Sequence, residues 1–209
     1  SKNIRIMKLA YCIPSLYNAE GMERILTAKI NYLANLNKYE LFVITTDQKG
    51  RPIKFPLDER IKLIHFDIDF DRHYNDNLIR KYLHHKKDIY IYKQKLIKII
   101  DSEKIDVCIS LGGKEIEFLS RLPVKCKKVA EMHFSMNFRE QFLVSRHSGF
   151  IWKLLGKIRT QQLKKCTKKL DKLIVLTESD KKQWEKTHKN VEQIPNFIPF
   201  DNTTVSNLE

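Results

Sequence analysis

Residues Leu173 to Asn196 read LIVLTESDKKQWEKTHKNVEQIPN. With Lys172 in front, the opening KLIVL is an apolar run of strand length. Thr177 is placed to cap a helix, because its hydroxyl can accept from a free N–H of the first turn. Glu178 and Asp180 put negative charge at the positive end of that helix. The helix runs from Glu178 to Thr187 and carries Trp184. Val191 to Pro195 (VEQIP) is a second, short strand, and the Pro195-Asn196 pair ends regular structure. Strand, helix and strand in this order form one unit of a parallel sheet.

The same alternation runs back to the start of the chain. Ile4 to Pro14 predicts a buried first strand. Gly21 opens a helix with Met22, Ile25, Leu26, Ile30 and Leu33 on one face. Tyr39 to Thr46 and Ile61 to Phe66 are the second and third strands, and Asp67 to Asn77 is a long polar and aromatic loop. Leu78 to Ser102 is a lysine-rich helix. Ile105 to Ser110 is the fourth strand, with Gly112-Gly113 turning sharply out of it and a short helix reaching Arg121. Lys127 to His133 is the fifth strand, and Ser148 to Leu170 is a basic amphipathic helix. The expected fold class is α/β: a Rossmann-like, doubly wound parallel sheet of about seven strands with helices on both faces. Runs such as LFVIT and KLIVL suit a sheet covered on both sides. Such sheets bind ligands at the carboxyl ends of their strands, which marks the loops after the first, fourth, fifth and sixth strands.

Composition narrows the classes. With 42% hydrophobic and 10% aromatic residues, the 209-residue chain can build a sizeable core. No apolar run approaches the roughly 20 residues of a membrane-spanning helix. Ser1 to Arg5 leads straight into the first strand and does not read as a signal peptide; Ser1 and Leu208-Glu209 read as cloning remnants. The four cysteines are scattered and form no Cys-x-x-Cys. They read as reduced thiols of a cytoplasmic protein, and no metal site is expected from them. The net charge of +14 is uneven. Between Arg121 and Leu170 stand 13 Lys and Arg against two acids, Glu131 and Glu140, leaving +11 in that window. A basic face suits an anionic partner, or is simply a solvated lysine-rich surface.

Three motifs bear on chemistry. The loop Pro14 to Arg24 places Gly21 at a helix N-terminus, which suits either a phosphate site or an ordinary strand-to-helix turn. Glu131-Met132-His133 ends the fifth strand, and an imidazole there faces the crevice of a doubly wound sheet, where it can donate to a sugar hydroxyl or a phosphate. Asn137 and Arg139 follow in the next loop. The third motif is the Leu173–Asn196 unit itself. There is no G-x-G-x-x-G and no Walker loop, which argues against a nicotinamide- or P-loop-dependent enzyme. No zinc-finger spacing, RNP-like motif or basic zipper is present, so nucleic acid is not an expected partner.

A strand ending Leu-Thr-Glu, then Ser-Asp and a helix, then V-x-x-I-P-N, is similar to the family 4 retaining glycosyltransferases of the GT-B fold. Glu20-Gly21-Met22-Glu23-Arg24 resembles that family's Gly-Gly-x-Glu-Arg turn, with Glu20 in place of the first glycine. Glu131-x-His133 resembles its Glu-His. The resemblance runs from about Ile6 to Ile198, nearly the whole chain. It implies that residues 1–200 are the N-terminal, acceptor-side half of a bacterial GT-B enzyme. Residues 201–209 would be the start of an interdomain segment or a tail, with the C-terminal nucleotide-sugar domain absent. It also implies transfer from a nucleotide-sugar, a UDP-sugar, with retention of configuration. The acceptor would be a cell-surface polysaccharide, a lipopolysaccharide or a lipid-linked glycan. His133 would be catalytic, Gly21 would lie at the donor diphosphate, and Glu131, Asn137 and Arg139 would bind acceptor. Pro195 and Asn196 would form the interdomain hinge. No cofactor and no metal are implied, and the 209 residues alone are expected to be inactive. The expected place is the cytoplasm, peripheral on the inner face of the membrane. Phe150, Ile151, Trp152, Leu154 and Leu155 among Lys153, Lys157 and Arg159 fit an interfacial helix on anionic lipid, or a helix packed on the sheet with its lysines outward. The rival reading is a non-enzymatic, anion-binding Rossmann-like domain for nucleic acid or a membrane surface.

Overall fold

The computed structural model describes residues 5–137, 141, 145–146 and 149–196. Seven strands form one sheet: β1 Met7–Ile13, β2 Tyr39–Thr45, β3 Lys62–His65, β4 Val107–Ser110, β5 Lys127–Met132, β6 Lys172–Val175 and β7 Val191–Gln193. Their order is β3-β2-β1-β4-β5-β6-β7, and every pair is parallel. Four helices are described: α1 Gly21–Asn35, α2 Leu78–Glu103, α3 Phe150–Thr167 and α4 Glu178–Glu185. This is the doubly wound, Rossmann-like parallel architecture that the alternation in the sequence predicts.

The period of two along each strand sorts the core into two layers. Leu9, Tyr11, Ile13, Leu41 and Val43 face α1 through Leu26, Ile30 and Ala34. Ala10, Cys12, Phe42, Ile44, Leu173 and Val175 face the other way, onto Tyr92, Leu96 and Ile100 of α2, Leu163 of α3 and Trp184 of α4. Strand order reverses between β1 and β4, so the chain ends of these two strands diverge and leave a crevice.

Local signals set the boundaries. The Asn77 side chain accepts from Arg80 N and starts α2, and Thr177 accepts from Asp180 N and starts α4, as its position predicts. α2 ends where Lys104 turns left-handed. The first strand begins at Met7, later than expected. The stretch after Gly113 is two 3-10 turns, Lys114–Glu117 and Leu119–Arg121, rather than a short helix. The loop before α2 holds a further 3-10 turn, Phe70–His73. Arg139 and residues 201–209 lie outside the described residues.

Candidate functional site: the crevice at the switch point

Pro14 follows β1, Thr46 and Asp47 follow β2, and Gly112 and Gly113 follow β4. With Asp71, His85, Lys114, Glu117, Arg159 and Gln162 they line a crevice of about 640 Å³. It lies at the carboxyl ends of the strands, where a doubly wound sheet binds its ligand.

Its rim is built from the buried carboxylate of Glu115. Ser110 Oγ donates to Oε1 at 2.6 Å, Tyr92 OH donates to Oε2 at 3.0 Å, and Gly113 N donates to Oε1 at 3.2 Å. Burial pushes this carboxyl up, against those hydrogen bonds. Gly112 has φ +83°, a left-handed backbone that other residues rarely adopt. A Cβ on Gly113 would stand 2.6 Å from Glu115 Oε2. The turn therefore needs both glycines, and their backbone can approach a ligand closely.

The crevice mixes charges. Asp47 is partly buried and accepts from Phe70 N at 3.0 Å; burial raises its carboxyl, and Asp71 and Asp69 add to the effect. His85 Nε2 sits 3.2 Å from Glu117 Oε2. Lys114 and Arg159 supply positive charge. Carboxylates beside cations suit a polyhydroxylated ligand that also carries an anionic group, since each sign of partner is within reach.

The residues expected from the sequence occupy a neighbouring position. Glu131 is buried, and Lys29 Nζ of α1 donates to its Oε1 at 2.6 Å. His133 Nε2 stands 3.6 Å from Glu131 Oε2, an electrostatic neighbour beyond hydrogen-bond length. Burial pushes the Glu131 carboxyl up, but His133 and Lys29 outweigh it and hold it below its ordinary value. The His133 side chain is only 9% exposed, and neither ring nitrogen has a hydrogen-bond partner among the described residues. Pro195 and Asn196 line the same small cleft as Lys29, Glu131 and His133. His133 also lines a second small cavity, with Leu163 and Trp184, and Gly112 belongs to both that cavity and the main crevice. The structure thus brings Glu131, His133 and the Pro195-Asn196 pair together, one glycine away from the main crevice.

Gly21 opens α1 on the same carboxyl-end rim, with nothing within 4 Å of where a Cβ would lie. Its backbone is not left-handed, so no turn demands glycine there. Glu20, the N-cap, makes no side-chain cap bond, and Glu23 is buried in the first turn. These carboxylates complement the helix dipole but compete with any diphosphate. Asn137 is half-buried, and its carbonyl accepts from Gln141 N at 2.9 Å.

Sequence reading missed Thr46, Asp47, Asp71, His85, Glu117, Arg159 and Gln162. The Gly112-Gly113 turn and the loops marked after the first and fourth strands are the pointers to their crevice.

Two solved structures share this architecture. Superposition on TcCGT1 in complex with UDP gives a TM-score of 0.60 at 11% identity, covering 98% of this chain and 53% of that one. A ugt transferase from Siraitia grosvenorii in complex with UDP gives 0.52 at 9% identity, covering 90% and 50%. The chain therefore spans about half the length of the solved structures it matches. No protein-family model matches the sequence, and no curated protein matches it.

Proposed function

We propose that this chain is the acceptor-side half of a retaining glycosyltransferase, transferring a sugar from a UDP-sugar to a lipid-linked or cell-surface glycan. The observation that carries the reading is the polar crevice at the switch point, in a fold shared with half of two UDP-bound proteins. The family 4 motifs add the retaining mechanism. Glu131 orients His133 toward the reacting sugar, Pro195-Asn196 is the hinge, and the α1 N-terminus at Gly21 lies toward the diphosphate. A partner domain supplies most of the donor contacts, so turnover needs the longer protein. Lys114 and Arg159 stabilise negative charge on the acceptor.

Acceptor kinetics test this reading. In the enzyme carrying both halves, Arg159→Ala raises the acceptor KM about 10- to 100-fold, the worth of one lost charged hydrogen bond. The donor KM stays unchanged. Equal effects on donor and acceptor, or no effect on either, would reject the crevice as the acceptor site.

The acceptor is drawn from a membrane surface. α3 buries Gly156, Thr160, Leu163 and Thr167. Its other face exposes Phe150 at 79% and Ile151 at 70%, followed by Leu154, Leu155 and Ile158, beside Lys153 and Lys157. The first turns of α2 expose Leu78, Ile79, Tyr82 and Leu83 near Arg80, Lys86 and Lys87, and α2 is buried only from Asp88 onward. Each stripe precedes, on its own helix, a crevice residue: His85 on α2 and Arg159 on α3. Exposed apolar side chains among lysines suit an anionic bilayer surface. No helix among the described residues is long and apolar enough to cross a membrane. The chain is expected to co-sediment with phosphatidylglycerol vesicles, to be released by salt, and to lose retention as Phe150→Ser/Ile151→Ser. Equal retention on neutral and anionic vesicles would sink the idea.

A further inference from the structure

His73 closes the 3-10 turn after β3, Asp76 follows it in the loop, and His84 lies in the second turn of α2. Asp76 Oδ2 is 3.2 Å from His73 Nδ1 and 3.5 Å from His84 Nε2. The three donor atoms all lie within 4.8 Å of one another. We propose that these residues form a zinc-binding site of two imidazoles and one carboxylate that clips the loop before α2 to the helix, beside a cavity that shares Asp71 and His85 with the crevice.

The spacing supports an ion. Zinc bonds to nitrogen and carboxylate oxygen are about 2.0–2.2 Å, and at tetrahedral angles neighbouring donor atoms then stand about 3.3–3.5 Å apart. The two observed separations, 3.2 and 3.5 Å, are ion-pair contacts that lie near that range. The donors suit zinc: neutral imidazole and carboxylate leave a fourth position for water. The rings are stacked, with centroids 3.6 Å apart and planes 8° from parallel. Both cannot hold one ion in their ring planes as they stand. One ring must turn about its Cβ–Cγ bond to bind, which also shifts its donor nitrogen from the observed position, and His84, with 38% of its side chain exposed, has room to do so. A second positive group, Lys81, sits nearby over the Tyr74 ring at 5.0 Å. It opposes the ion's charge and keeps the affinity moderate. The cysteines do not contribute: Cys12, Cys108 and Cys126 are buried in the sheet core, and Cys166 lies on α3.

The test uses the full chain, free of any histidine tag, stripped with chelator and titrated with Zn²⁺ alone by calorimetry. One equivalent binds, and the melting temperature rises with zinc by mass action. His84→Ala and Asp76→Asn each weaken binding at least about tenfold, while Cys166→Ser binds as wild type. Circular dichroism of each zinc-free variant confirms that it is folded; His84→Gln replaces His84→Ala if the latter is not. Absence of saturable binding, or wild-type binding by both the His84 variant and Asp76→Asn, would overturn the site. So would loss of binding in Cys166→Ser.

Discussion

Lys29→Met is expected to remove about 3–5 kcal/mol of folding stability, the usual cost of stripping the partner from a buried charge. At this chain length that lowers the melting temperature by about 6–20 °C. Among the described residues, Lys29 is the one cation hydrogen-bonded to Glu131, at 2.6 Å. Without it, the carboxylate's remaining cationic neighbour among the described residues is His133 at 3.6 Å, in a cleft also lined by Ile25, Ile174 and Leu176. The pH dependence identifies the cause. In the wild type the folded-state pKa of Glu131 is depressed. Its contribution is therefore fully present above the ordinary carboxyl pKa and fades as pH falls through the depressed one. In Lys29→Met the lowering pull of Lys29 is lost while burial still opposes the charge, so the folded-state pKa of Glu131 rises and its contribution fades at a higher pH than in the wild type. The gap between the two proteins is then widest at neutral pH and narrows toward pH about 4. Thermal melts from pH 4 to 8 check this, and a gap that does not change with pH would mean that lost methylene packing, not charge, sets the cost. Glu131→Gln should cost less, because it removes the buried charge and leaves its partner partly in water.

The contrast between this pair and the parts that sequence revealed is instructive. Strand runs, the Thr177 cap and the alternation of elements are local: each is decided within a few residues, so LIVLTESD already fixes where β6 ends and α4 starts. The Lys29–Glu131 contact joins residues 102 positions apart, and nothing in either neighbourhood names the other. The crevice is harder still. Asp47, Asp71, His85, Glu117 and Arg159 come from five separate segments, and only the reversal of strand order between β1 and β4 gathers them. The basic helix was open between two readings because its sequence has apolar residues on more than one side. Packing shows which face is turned inward: the small residues Gly156 and Thr160 lie against the protein, and Phe150 and Ile151 remain exposed. Gly21 is a place where local sequence says less than it suggests. A glycine before a helix suggests close approach to phosphate, yet the backbone there suits any residue, and two carboxylates crowd the helix start.

Trp184→Ala is the second large loss, about 3–5 kcal/mol for truncating a buried aromatic. Trp184 is 0% exposed and belongs to the core layer with Leu163, Leu173 and Val175. It meets His188 edge-on, with centroids 4.9 Å apart and planes at 86°. Its indole nitrogen has no hydrogen-bond partner among the described residues. Truncation therefore orphans no acceptor, and the whole loss comes from packing and the cavity left behind. Trp184→Phe, which keeps most of the volume, should cost well under half as much. Phe150→Ala, at a position 79% exposed, should stay within about 0.5 kcal/mol of wild type. Denaturant melts of the three variants rank them. Trp184 also walls the small cavity beside His133, so Trp184→Ala should loosen that imidazole and let its ring signals exchange between more than one environment in nuclear magnetic resonance spectra. A Trp184→Ala protein as stable as Phe150→Ala would mean that α4 is not anchored by its tryptophan, and that the wall behind His133 is held by the sheet alone.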